Sequence, residues 1–171
     1  ILSPMFLPQV VMNRIASIGS LEESSNAYRI TIWKAALRMI KDYWLTGVGL
    51  GLAAFSRVYR DYMIAGTLAI HAHNLYLEIC IELGVIGIFS LFWMVFRCFS
   101  EALSNVIIKN YKISYIAAGI MAGLVGHLFH GLFDYVWYSP RIVMAFWMHL
   151  GLLSALASGT VTFDFTGEKL S

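Results

Sequence analysis

The stretch Leu83–Phe96, LGVIGIFSLFWMVF, carries no charge, and no other feature restricts so strongly what this chain can become. A helix crosses the hydrocarbon layer of a bilayer with about 20 apolar residues. Counting back from Phe96 gives a first span of about Leu75–Phe96, which forces Glu78 and Glu82 to one interface or against protein. A second span is expected over about Ile113–Phe133, interrupted only by His127 and His130. A shorter third runs over about Ile142–Ala157, with His149 near its middle. Composition agrees, because only 13% of the 171 residues are charged and 59% are hydrophobic, where soluble domains carry about 25% charge. A formal net charge of +2 leaves no basis for a nucleic-acid partner.

The fold class expected is therefore all-α: a fragment of a polytopic transmembrane helical bundle with a large extracytoplasmic helical loop. Residues 1–11, broken by Pro4 and Pro8, read as the end of a preceding span. Residues 12–74 read as the loop, and residues 75–171 as three transmembrane helices with a short tail. No basic segment or initiator Met precedes Ile1, so no signal peptide is expected, and the chain reads as the C-terminal part of a longer protein. Cys80 and Cys98 fall on one predicted helix, roughly 27 Å apart, too far for a disulfide within it.

The loop holds most of the basic residues: Arg14, Arg29, Lys34, Arg38, Lys41, Arg57 and Arg60. Ser24, Ser25 or Asn26 is a candidate cap for a helix in which Ile30, Trp33, Leu37, Ile40 and Trp44 recur at three- and four-residue steps. That pattern is an amphipathic helix lying on a membrane or on the bundle. LTGVGLG ends it, and AAFSRVYRDYM reads as a second short helix. Arg97, Lys109 and Lys112 lie between the first two spans. The positive-inside rule places that connection in the cytoplasm and the long loop outside.

The chemistry concentrates where loop meets span, in HAHNLYLEICIELGVIG, residues 71–87. His73 has two readings. Near a helix N-terminus the dipole disfavours imidazolium, so the ring stays neutral and can act as a base; alternatively His73 and Asn74 simply cap the helix. Arg29 offers a planar fork suited to a diphosphate, or else contacts a headgroup or pairs with Glu22 or Glu23. Arg38, Arg57 and Arg60 read as solvated or lipid-phosphate contacts, and Arg57 is kept as a supporting candidate with Asn74, Glu78 and Asp134. His127, His130 and Asp134, spaced i, i+3, i+7, are expected to share one helix face as a polar seam. Such a set rarely completes a metal shell, so no metal is expected there. His149 reads as an interhelical contact.

His73 and Asn74, then nine residues, then Gly84 and Gly87 resemble the signature of the O-antigen ligase family. So do Arg29, Trp33, Ala36 and Leu37 in R-x-x-x-W-x-x-A-L, and the Gly47–Gly51 run GVGLG. Together with the hydropathy, the resemblance covers about Tyr28–Ala157; Trp44 stands where the family often has Pro. The resemblance implies a glycosyltransferase of the bacterial cytoplasmic (inner) membrane, multi-pass, with its site on the outer face. It would move a glycan from a polyprenyl diphosphate carrier to a hydroxyl on a lipid, glycan or protein acceptor. His73 would be the base and Arg29 the phosphate clamp, with no cofactor. A further phosphate-binding arginine is expected in an upstream segment. A membrane transporter or polysaccharide-export component, with an intramembrane His/Asp relay, is the alternative from another class.

Overall fold

A computed structural model describes residues 9–107 and 111–159, with side chains described over 25–106 and 114–159. The expected span over residues 1–11 lies almost wholly outside the described residues. The elements are α1 (Gln9–Tyr43), α2 (Leu52–Tyr62), α3 (Leu75–Ala102), a π-helical turn (Leu103–Ile107), α4 (Tyr111–His130), a 3₁₀ turn (Val136–Tyr138) and α5 (Pro140–Ala157). All regular structure among the described residues is helical.

Two layers result. In the first, α1 packs on α2 and on the first turns of α3; in the second, α3, α4 and α5 form a bundle. Two stretches are long and apolar enough to cross a membrane, Leu75–Val106 and Pro140–Ala157. The chain is a membrane protein. The expected second span ends earlier than predicted, because α4 stops at His130 rather than at Phe133. It ends early because Gly131 closes the helix against Leu75: a Cβ on Gly131 would lie 2.9 Å from the Leu75 Cβ.

The sequence placed a helix start at Ser24–Asn26, but α1 passes through these residues without a break. Ser and Asn cost a helix interior less than ~0.7 kcal/mol each, too little to stop it. The apolar stripe also differs from expectation. Ile32, Ala35, Ala36 and Met39 are the buried face, whereas Ile30, Leu37 and Trp44 are exposed and Trp33 and Ile40 half-buried. Two alanines let α1 approach its neighbours closely, so the face with small side chains is the one that packs.

Helix α3 is broken at Gly84, whose φ of +67° and ψ of −164° are outside the helical region. The break releases carbonyls that a continuous helix would have used. Val48 and Gly49 donate to the Ile81 and Glu82 carbonyls at 2.7 and 3.1 Å, and the Val85 amide donates to the Trp44 carbonyl at 2.7 Å. The contact is so close that a Cβ on Gly84 would sit 2.3 Å from the Leu45 oxygen, and one on Gly47 2.3 Å from the Glu82 oxygen. The two glycine motifs of the sequence thus clasp each other.

Candidate active site

His73 precedes α3 rather than lying in its first turn, and its φ is +48°. A left-handed conformation costs a non-glycine residue about 1–3 kcal/mol and persists only where the surroundings impose it. Asn74 is the cap: its Oδ1 accepts from the Tyr76 and Leu77 amides at 2.9 Å, and its Nδ2 donates to the Leu132 carbonyl at 2.7 Å. The Leu75 amide donates to the Gly131 carbonyl at 2.8 Å. On the N-terminal side, the His73 amide donates to Nδ1 of His71 at 3.2 Å. Capping therefore belongs to Asn74, which leaves the His73 ring for another task.

That ring meets Asp134. Nδ1 of His73 lies 3.3 Å from Oδ1 of Asp134. A carboxylate can only accept, so the pairing keeps the proton on Nδ1 and leaves the Nε2 lone pair available. Burial pushes the Asp134 carboxyl up, but the Tyr135 amide at 2.8 Å, the His73 ring and the charge of Arg29 outweigh it. The carboxyl is held below its ordinary value. Arg29, half-buried on α1, thus acts on the same carboxylate; the Glu22 and Glu23 side chains lie outside the described residues.

His71 is buried, with its ring centroid 4.2 Å from that of His73, 5.5 Å from Tyr135 and 5.2 Å from Tyr138. Burial, and then the neighbouring His73, push it down to about 4 against the pull of Asp134, so it is neutral near pH 7. The Tyr28 ring meets His73 edge-on at 5.8 Å, and its hydroxyl donates to the Leu68 carbonyl at 2.7 Å.

Glu78 and Glu82 are buried rather than interfacial, and each carboxyl accepts from a backbone amide. Glu78 Oε2 holds Ala72 N at 2.5 Å, and Glu82 Oε1 holds Gly51 N at 2.8 Å. Trp33 Nε1 donates to the Ala72 carbonyl at 2.9 Å. Arg57 is exposed on α2, and no described contact brings it to the site; Arg60 instead lines a cleft with Tyr28.

The expected polar seam does not form. Helix α4 ends at His130, so Asp134 leaves the helical register and turns to His73. His127 accepts from Trp137 Nε1 at 2.9 Å, and His130 is exposed. A His/Asp relay along one helix face is thereby broken. His149 is not an interhelical contact either: it is exposed and bonded to the Ala145 carbonyl of its own helix at 2.6 Å. One atom from each of His71, His73 and Asp134 lies within 4.8 Å of the others, close enough to attract a metal. But Nδ1 of His71 is engaged by the His73 amide and Nδ1 of His73 by Asp134, while the Arg29 charge opposes a cation there.

A family model described as O-antigen ligase matches residues 1–92. The chain belongs to the O-antigen ligase family. Among relatives, a Rickettsia conorii protein named "Putative polysaccharide ligase" is 25% identical over 170 residues, covering 96% of this chain and 40% of its own length. Its namesake in Rickettsia typhi is 23% identical over 171 residues, with the same coverage. The chain therefore spans about two fifths of the length of these relatives. No solved structure matches it. The O-antigen ligase match takes in Arg29, Trp33, the glycine run and His73, whereas Asp134 lies beyond it. Trp33 also lines an open apolar cleft of about 640 Å³ with Leu37, Asn74, Tyr76, Leu77, Phe92 and Leu132. The exposed apolar residue Leu37 on α1 is one wall of it.

Proposed function

We propose that this chain carries the reacting end of a membrane glycosyltransferase, which moves a glycan from a polyprenyl diphosphate carrier to a hydroxyl acceptor outside the cytoplasmic membrane. The observation that carries this reading is the His73–Asp134 pair at 3.3 Å, whose carboxylate also feels Arg29. The acceptor oxygen attacks the anomeric carbon, its proton passes to His73 Nε2, and the bond from that carbon to the diphosphate oxygen breaks. Polyprenyl diphosphate leaves, and attack from the opposite face inverts the centre. Asp134 steadies the imidazolium formed on His73. Arg29 offsets the charge that grows on the leaving diphosphate, with a fork that matches its oxygens. The apolar cleft beside Asn74 suits an isoprenoid chain, which buries best against side chains such as Trp33, Leu37 and Phe92. The stored diphosphate bond supplies the driving force, so no nucleotide is consumed.

His73→Asn in the intact protein tests the reading. Asn keeps a polar group and tolerates left-handed φ, but it takes up no proton near neutral pH. The expected result is a normal amount of protein in the membrane with glycan transfer reduced at least about a hundredfold. Near-normal transfer would remove His73 from the chemistry and, with it, the proposed mechanism.

A further inference from the structure

Ala72, immediately before the strained His73, is gripped at both its N–H and its C=O, which belong to successive peptide units, by side chains from two different helices. Glu78 of α3 accepts from its N–H at 2.5 Å, and Trp33 of α1 donates to its C=O at 2.9 Å. Ala72 and Glu78 are both fully buried. Neither bond belongs to regular structure, so the backbone here has the conformation that these two side chains dictate. His71 Nδ1 then holds the next amide, that of His73 itself.

We propose that Glu78 is a positioning residue for His73, acting through the backbone of Ala72. The proposal rests on the reading of His73 as base. The left-handed φ of His73 must be imposed from both sides. After it, Asn74 and the Leu75 amide are tied to the turn at Leu132 and Gly131. Before it, the ties are Glu78, Trp33 and His71. Glu78 is the tie that comes from the same helix as the cap, one turn further on, and it fixes the His71–Ala72 peptide relative to the α3 axis. Its other oxygen, Oε1, meets no partner among the described residues. A single acceptor atom therefore does the work, and an amide can replace the carboxyl.

The test compares Glu78→Gln with Glu78→Met in the intact protein. The assay uses membrane vesicles supplied with a synthetic polyprenyl diphosphate-linked oligosaccharide as donor. Gln keeps an oxygen for the Ala72 amide and should retain transfer within about threefold. Met fills the same buried volume, so the protein still accumulates, but it offers that amide no acceptor. A catalytic group displaced by ~1 Å loses on the order of a hundredfold; Glu78→Met should lower kcat about ten- to a hundredfold with donor KM unchanged. On a His73→Asn background Glu78→Met should lower the residual transfer no further, because the two changes act through one ring. Wild-type kcat in Glu78→Met would overturn the proposal, as would equal damage in both variants or a further loss on the His73→Asn background. If His73→Asn alone is active, the base assignment fails instead, and the two failures are told apart.

Discussion

The α1–α2 layer and the α3–α5 bundle combine apolar packing and directional bonds in different proportions. The bundle core is Leu75, Ile79, Leu91, Val95, Phe146, Leu150, Leu153 and their neighbours, joined by apolar contact and by side-chain bonds to backbone such as Asn74 to Leu132, Tyr76 to Leu128 and Asn105 to Ala157. The core of the α1–α2 layer is smaller, with Ile32, Ala35, Ala36, Met39, Phe55, Tyr59, Ala72 and Ile81. Around it, side chains bond backbone across long stretches of sequence: Tyr28 to Leu68, Trp33 to Ala72, Tyr59 to Thr67, Glu82 to Gly51. Apolar contact is non-directional and tolerates repacking. Hydrogen bonds to particular backbone atoms do not. Set against its smaller core, the layer that presents His73 carries more of these directional bonds than the bundle does.

Glycines break this comparison most sharply. Gly84→Ala should abolish activity and leave little protein in the membrane. Its Cβ would overlap the Leu45 carbonyl at 2.3 Å, and its φ is positive besides. A change that strains both packing and backbone exceeds ~4 kcal/mol. Gly123→Ala, on α4, meets nothing within 4 Å and should be silent in the same assays of membrane abundance and transfer. Equal tolerance at both positions would show that the clasp is not a structural requirement.

Asp134 joins the layers, since it follows the bundle helix α4 and touches His73. Asp134→Asn can still meet His73 Nδ1 but can instead donate to it, which favours the tautomer with Nε2 blocked. Transfer should fall at least about tenfold, with unchanged thermal unfolding in detergent. An unaffected rate would mean that the two layers need not meet through this pair.

The smallest expected effect is on pH dependence. His71 titrates near 6.5 when unfolded but only near 4 in place, because burial and His73 disfavour its charge. Its contribution to stability is complete above about pH 6.5 and is lost as pH falls toward 4, up to about 3 kcal/mol in all. The midpoint of thermal unfolding should therefore drop by several degrees over that window. His71→Asn, which retains an acceptor for the His73 amide, should flatten the drop. An equal slope in both proteins would assign the pH response to another group.

Much of the α1–α2 layer was legible in the sequence because its motifs are local. The His73–Asn74 pair, the glycines at 47, 49, 84 and 87, and Trp33 with Ala36 are visible as residue types at fixed spacings. What they do to one another was not, since Gly47 and Gly84 meet only after the chain folds back. The pairing of His73 with Asp134 was hidden for the same reason: a helical period grouped Asp134 with His127 and His130, and the helix ended first. The outward face of α1 was misjudged because the bulkier side chains marked the apparent stripe, while the alanines, which allow close packing, carry little hydrophobic signal. The bundle was read from length alone, and length alone overextended its second helix.

The sequence distance between the paired residues has a consequence for biogenesis. His73 and Asp134 are 61 positions apart, and Asn74 and Leu132 are 58 apart. A chain emerging from the ribosome exposes His73 first and gains its partners only after α3 and α4 have been threaded as a returning hairpin. Until then the imidazole has neither a fixed tautomer nor a fixed direction. Under the proposed mechanism, a chain whose α4 is not yet in place lacks the fixed Nδ1 tautomer that proton uptake at Nε2 requires.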